Sequence, residues 1–311
     1  MVAARLNDRR RWGIIYCPRI GAVNKIKKWR EIRSYLVEKG VTYDYIQSEN
    51  YGSVERLARM LVDNGYETIV VVGGDGAVQD ALNGIMSSAN RRNVTLGIVP
   101  NGIANDFASY WGISTNDYRK AVDCIIAGRR RNIDVGCCKY VAEDGEKVRY
   151  FVNALNIGLS ARVVEIANKK VSAPFAKWLY YVRSFLLLLL HRNSHRVKMR
   201  LNNQTVDTEL MMLCVGNARG YGLTPSAVPY NGYLDVSIVK KPMFFGLLQG
   251  MYMMYKRRIM NYELLVPFRT TAITIESVGV ARCGLDGRPF TPTFPMDVTI
   301  LKEELSLIIP K

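Results

Sequence analysis

Apolar positions between residues 12 and 128 alternate between two rhythms. Trp12 to Tyr16, Val41 to Ile46, Thr68 to Val72 and Val94 to Val99 are short apolar or β-branched runs, which predict strands buried in a parallel sheet. Between them lie stretches of helical spacing. Lys25 to Lys39 carries Trp29, Ile32, Tyr35 and Leu36 on one face and is stopped by Gly40. Ser53 to Asn64, Ala77 to Met86 and Asp117 to Ala127 predict three more helices, the last closed by Gly128. Strand and helix in alternation predict an α/β domain, with ligands bound beyond the C-terminal strand ends.

From Ile133 the rhythm changes. Ile133 to Val135, Lys139 to Ala142, Lys147 to Asn156, Arg196 to Leu201, Thr208 to Gly216, Leu234 to Val239, Thr271 to Glu276 and Met296 to Leu301 read as strands. Asn202-Asn203 supplies a hairpin turn. These runs predict an antiparallel β domain after a boundary near residue 132. Two insertions interrupt them. Lys169 to His195 is too short and too charged to span a bilayer, and is crowded by Lys169, Lys170, Lys177, Arg183, Arg192, Arg196, Lys198 and Arg200. It suits either packing on the β domain or resting on an anionic bilayer. Pro242 to Met260 is the second, and its methionines are expected to fill a core.

The 311 residues are 49% hydrophobic, enough for one large domain or two ordinary ones. The formal charge of +16 brings in anionic partners: nucleic acid, a membrane surface or an acidic substrate. A solvated basic face explains it equally simply. Nucleic acid has only the charge in its favour, because no recognition helix or zinc spacing accompanies it. Six cysteines form no CxxC pair, and two histidines, His191 and His195, have no acidic partner nearby. A zinc site is therefore not expected, and reduced thiols in a cytoplasmic protein are. The polar, arginine-rich start of the chain contains no secretory apolar segment.

The chemistry concentrates at two strand ends. Gly73-Gly74-Asp75-Gly76 lies between a strand and a helix, where backbone N–H groups converge on an anion. A purely conformational turn is the competing explanation, and the spacing is neither a P-loop nor a dinucleotide fingerprint. The fourth strand is followed by Pro100-Asn101-Gly102-Ile103-Ala104-Asn105-Asp106-Phe107, where Asn105 and Asp106 either cap a helix or face a ligand.

Together these motifs resemble the diacylglycerol kinase catalytic-domain family, in particular its soluble bacterial lipid kinases, which are related to sphingosine and ceramide kinases. The resemblance rests on Gly73-Gly74-Asp75-Gly76-Ala77 with Asp80 and Asn83-Gly84, and on Pro100 to Phe107. It continues through Phe151-Val152-Asn153 with Gly158, Asn217 with Gly222, Pro225 and Ala227, Asn231-Gly232-Tyr233-Leu234-Asp235, and Asp286-Gly287-Arg288. It implies an α/β nucleotide-binding domain at 1–132, an antiparallel β-sandwich-like lipid domain at 133–304, and a final segment, 305–311, returning to the first. It also implies transfer of the ATP γ-phosphoryl group to a lipid hydroxyl. Gly73, Gly74 and Gly76, with Ala77 and Gly102, would then approach the phosphates. Asp75 would orient Mg²⁺ or its water shell, Asn105 and Asp106 would shape the nucleotide site, and Asp286 would take the hydroxyl proton. The implied partner is a membrane lipid met peripherally at an anionic bilayer on the cytoplasmic side, with a homodimer left open.

The chain departs from the family pattern at Ala77 and Ile103, where threonines are usual, and at Cys17, where an asparagine is usual. Arg288 replaces a glutamate and is a candidate phosphate contact. Asn231 replaces an aspartate of a structural Mg²⁺ site, so Asp235 is expected to be poorly supported as its ligand. Two accounts compete: an active kinase with altered preference, and a diverged, weak or inactive relative that binds nucleotide or lipid. Polyphosphate/ATP–NAD kinases share the GGDG turn, but the Asn217 to Asp235 pattern fits the lipid family better.

Overall fold

The structure, a computed structural model, describes residues 11–18, 24–50, 52–102, 105–161, 194–279 and 281–311. It divides into two compact units, one of residues up to Asp134 together with Lys302–Lys311, the other Val135–Leu301.

The first unit contains β1 (Trp12–Tyr16), α1 (Asn24–Glu38), β2 (Tyr43–Gln47), α2 (Ser53–Asp63), β3 (Thr68–Gly73), α3 (Asp75–Met86), β4 (Thr95–Pro100), α4 (Asp106–Tyr110) and α5 (Tyr118–Ala127). Its strands pair in parallel in the order β2-β1-β3-β4. Ile14, Ile15, Ile69, Val71, Leu96 and Ile98 are almost wholly buried, as unbroken apolar strands between helices require. The register sets Tyr16 beside Val72 and Gly73 beside Pro100, so three strands end together. Asp117 caps α5 by accepting from the Arg119 and Lys120 N–H groups. Gly84 sits inside α3 because a Cβ there would lie 2.2 Å from the Glu55 carbonyl oxygen of α2. Close helix contact thus offsets a propensity cost of about 1 kcal/mol.

The second unit is a β-sandwich. It comprises the part of β5 (Arg130–Ala142) from Val135 onward, then β6 (Gly145–Phe151), β7 (Ala154–Gly158), β8 (His195–Leu201), β9 (Gln204–Leu210), β10 (Met212–Gly216), β11 (Leu234–Val239), α6 (Phe244–Tyr255), β12 (Leu265–Thr270), β13 (Ala272–Val278), β14 (Cys283–Leu285), β15 (Arg288–Phe290) and the part of β16 (Met296–Ile308) up to Leu301. One sheet runs β12-β11-β10-β7-β14-β15, antiparallel throughout. The other contains β16-β13-β8-β9, also antiparallel, and the β5–β6 hairpin. Phe151, Leu155, Ile157, Met199, Leu213, Val236, Ile275 and Met296 fill one core cluster.

Several elements differ from the sequence expectation. Residues 147–156 break at Val152-Asn153, and residues 208–216 break at Met211. At each break the chain leaves one sheet for the other within a continuous apolar run, Tyr150-Phe151-Val152 at the first and Leu210-Met211-Met212 at the second. The two short strands expected before Ala142 are one, β5. α3 begins at Asp75, two residues earlier than expected. β16 continues to Ile308, where Ser306 and Leu307 pair with Thr95 and Leu96 of β4. The hairpin turn expected at Asn202-Asn203 is present, the two residues having φ of 49° and 61°, as a type I′ turn requires. Met251 and Met253 pack partly against a core cluster, but Met243, Met254 and Met260 are exposed. Most of the Lys169–His195 insertion lies outside the described residues, and among those described no helix is long and apolar enough to cross a membrane.

Candidate functional site

In the first unit, β3 delivers the chain into Gly73-Gly74 and α3 starts immediately, with Gly74 as its N-cap. The glycines are required by contact rather than by φ. A Cβ on Gly74 would lie 2.8 Å from the Gly102 Cα, and a Cβ on Gly102 would lie 2.5 Å from the Gly74 Cα. A Cβ on Gly73 would meet the Ala77 Cβ at 2.7 Å and the Cys17 Cβ at 3.4 Å. The two turns are thus joined backbone to backbone, and the Asn101 N–H donates to the Gly73 carbonyl at 2.7 Å.

Asn105 locks the second turn. Its backbone is left-handed, φ 49°, and its side-chain oxygen accepts from the Gly102 N–H at 2.9 Å while its amide donates to the Gly102 carbonyl at 3.2 Å. The Asp75 carboxylate accepts from the Asp106 and Phe107 N–H groups, each at 3.1 Å, and so caps α4. Burial pushes the Asp75 carboxyl up from its ordinary value, and these N–H groups partly oppose the shift. The structure therefore brings together Gly73, Gly74, Asp75, Gly76, Ala77, Gly102, Asn105 and Asp106. It also gives Asn105 and Asp75 conformational work that the sequence left open. Gly74, Gly76 and Gly102 are half-buried and present main chain at the start of α3. That surface suits a phosphate, which the positive end of the helix favours. Among the described residues no group of three or more acidic, His or Cys side chains could hold a metal. Asp75 fits Mg²⁺ only as one carboxylate beside phosphate oxygens and retained waters, which is how Mg²⁺ is ordinarily held. Ile103 lies outside the described residues.

In the second unit, Asp286-Gly287 is the two-residue turn between β14 and β15, with φ of 44° and 82°. Asp-Gly is the residue pair this type I′ hairpin favours, a signal that the sequence reading passed over. The Asp286 side chain turns inward and is 1% exposed. Its carboxylate accepts from the Val152 N–H at 2.7 Å on Oδ2, and from the Asn153 and Ala154 N–H groups at 2.9 and 2.7 Å on Oδ1. This carboxylate occupies the corner between β6 and β7 and satisfies donors that the broken strand cannot. Asn153 and Asn217 complete a buried polar cluster: the Asn153 side-chain oxygen accepts from the Gly220 N–H, and the Asn217 amide donates to the Val152 carbonyl. Arg288 opens β15, half-buried, opposite Leu285. Asn156, 1% exposed on β7, was not anticipated, and its side-chain oxygen has no partner among the described residues.

Asp235 has a partner of its own. It lies directly across from Arg269 in the β11–β12 ladder, and the guanidinium grips it with Nε to Oδ1 at 2.7 Å and Nη2 to Oδ2 at 3.2 Å. Asn231 is used locally, accepting from the Tyr233 N–H. The residues present do not fit a structural Mg²⁺ at Asp235, because a cation of the chain itself already neutralises the carboxylate. All six cysteines are free thiols. Four are buried, while Cys17 and Cys124 are half-buried. Burial pushes the Cys283 thiol up to about 12.

The chain matches two family models: the diacylglycerol kinase catalytic domain over residues 11–138, and the YegS C-terminal NAD kinase beta sandwich-like domain over residues 153–309. A diacylglycerol kinase of Staphylococcus carnosus is 24% identical over 307 residues, covering 97% of this chain and 96% of that one. A diacylglycerol kinase of Bacillus subtilis is 23% identical over 302 residues, covering 96% of each. Among solved structures, a diacylglycerol kinase from Bacillus anthracis superposes with a TM-score of 0.72 at 19% identity, covering 96% of this chain and 97% of that one. Yeast NADH kinase has the same fold more distantly, with a TM-score of 0.52 at 10% identity, covering 96% and 84%. With both domain models matched in order along the chain and these relatives covered almost end to end, the chain belongs to the diacylglycerol kinase catalytic-domain family.

Proposed function

We propose that this protein is an ATP-dependent lipid kinase that transfers a phosphoryl group to the hydroxyl of diacylglycerol or a related lipid. Membership of a kinase family supports phosphotransfer in general. The observation that supports the finer reading is the half-buried main chain of Gly74, Gly76 and Gly102 at the head of α3, where the Gly74–Gly102 contact joins the two turns. ATP supplies the phosphoryl group, and Mg²⁺ neutralises phosphate charge when bound. Gly73, Gly74, Gly76 and Gly102 keep the approach to the main chain open, and the start of α3 turns its positive end toward negative charge. Asp75 holds the Mg²⁺ water shell while keeping α4 in register. Asn105 fixes the second turn, with Asp106 beside it. Asp286 accepts the lipid hydroxyl proton, and Arg288, next to it in the hairpin, contacts phosphate. The lipid is met peripherally, at an anionic bilayer on the cytoplasmic side.

One observation favours the second reading, a relative that binds but reacts weakly. Three backbone N–H groups engage the Asp286 carboxylate, so a purely architectural role accounts for that residue. Incubation with γ-labelled ATP, Mg²⁺ and a panel of dispersed lipids separates the two. Label in a lipid phosphomonoester is the expected result. Folded protein that binds ATP yet labels no lipid would leave only the binding reading.

A further inference from the structure

α6 carries an exposed apolar face. Its inner side is fixed: Leu247 is buried, the Tyr262 hydroxyl donates to the Gly246 carbonyl at 2.8 Å, and a Cβ on Gly250 would come within 3.1 Å of the Tyr262 ring. The opposite side presents Phe245, Leu248, Tyr252 and Tyr255 at positions i, i+3, i+7 and i+10, with exposures of 81, 42, 62 and 81%. That spacing puts them along one stripe of the helix. Exposed apolar groups scattered singly need no explanation, but a contiguous stripe of this kind does.

Charge identifies the occupant. Residues 240–262 contain Lys240, Lys241, Lys256, Arg257 and Arg258 and no Asp or Glu. Basic residues therefore flank both ends of the stripe. The Lys256 ammonium lies 5.8 Å from the Tyr252 ring centre and 5.9 Å from that of Tyr255, which joins the charged end to the aromatic face. Protein interfaces deplete lysine, whereas an anionic lipid surface attracts it.

The turn after α6 adds an independent observation. The Arg257 N–H donates to the Met254 carbonyl and the Arg258 N–H to the Met253 carbonyl, the pattern of a Schellman cap. Its left-handed position, normally glycine, is Arg257 at φ 57°. The chain keeps a strained arginine at a place where glycine would relieve the backbone.

We propose that the outer face of α6 and its basic ends dock on an anionic phospholipid bilayer, with the apolar stripe at the level of the acyl boundary and the basic residues among the headgroups. The proposal deepens the lipid-kinase reading, on which it rests for why the protein should visit a bilayer.

Sedimentation of the full chain with vesicles tests it without ATP. Wild-type protein is expected to pellet with vesicles containing phosphatidylglycerol, less with phosphatidylcholine alone, and to be released by salt. Phe245→Asp with Tyr255→Asp changes two exposed positions and should weaken partition at least tenfold, an estimate of about 25 cal/mol per Å² of apolar surface withdrawn from lipid. Arg257→Gly should raise the denaturation midpoint yet weaken partition about fivefold. Equal partition by wild type and the double variant, or none by wild type, would overturn the proposal. So would self-association in solution that the double variant abolishes, since the face would then belong to a second copy. Phosphoryl transfer into detergent-dispersed lipid, measured in parallel, separates the two claims. Transfer without vesicle binding overturns the docking alone, and vesicle binding without transfer supports the docking while contradicting the kinase.

Discussion

Asp286→Asn is the natural test of a catalytic base, and the structure predicts that it disturbs the fold as well. The carboxylate accepts three backbone N–H bonds, two on Oδ1 and one on Oδ2, at 1% exposure. Asparagine keeps one oxygen. With that oxygen toward Asn153 and Ala154, its amide group faces the Val152 N–H, donor against donor, at a buried position. An unsatisfied buried donor costs about 1–3 kcal/mol, and the two remaining bonds lose their charge assistance. The sum is a local destabilisation of about 2–4 kcal/mol at the corner between β6 and β7. Hydrogen exchange read by mass spectrometry reports it at the Val152–Ala154 amides, where exchange should accelerate about 30- to 900-fold. On the proposed function the first unit binds ATP, and that binding should be retained and serves as an internal standard. Rates within about threefold of wild type would refute the reasoning, because a donor clash that small is not a buried one. Loss of activity in this variant then speaks to the proton only after the loss of structure has been subtracted.

Three further predictions follow from the sites. Burial raises the Asp75 carboxyl, so the native state holds that proton more tightly than the unfolded chain, and stability falls as pH climbs from about 3.9 through the higher native value. Carbon-detected NMR should show Asp75 titrating above the ordinary aspartate value and moving down when Mg²⁺ and ATP are added; an unmoved titration would contradict its part in holding the cation. Ala77→Thr restores a hydroxyl at the first turn of α3 and should tighten ATP binding by about 10- to 150-fold in calorimetry, corresponding to about 1.5–3 kcal/mol for a bond to a charged group. Unchanged or weaker binding would show that phosphate does not pass there. Because Arg269 neutralises Asp235, chelating Mg²⁺ should leave the wild-type melting temperature in place, while Arg269→Ala should cost about 1–3 kcal/mol. A melting temperature that drops on chelation would restore the metal to this position.

The parts of this fold that the sequence shows are those where one residue has one local consequence. Unbroken runs such as Thr68–Gly73 are strands because nothing but a doubly covered sheet buries them, and Asp117 with Gly128 brackets α5 by cap chemistry alone. Gly73-Gly74 is legible as a turn, but the reason for the second glycine is Gly102, 28 residues away, which no local rule supplies. The breaks at Val152-Asn153 and Met211 are hidden for a related reason: a continuous apolar run, Tyr150-Phe151-Val152 or Leu210-Met211-Met212, carries no local mark of the change from one sheet to the other. Asp286 was visible through family resemblance as a candidate base. Its place in an Asp-Gly hairpin was visible too, and only the fold turns its carboxylate into the corner of β6 and β7. Arg269 carried no signal, since cross-strand register is what sets it against Asp235.

The most direct measurement of the central claim offers γ-labelled ATP and Mg²⁺ to the folded chain with two acceptors at once, a dispersed lipid mixture containing diacylglycerol and NAD. The account predicts label in a lipid phosphomonoester and none in NADP. Label in NADP alone, or in neither while ATP is bound, would contradict it.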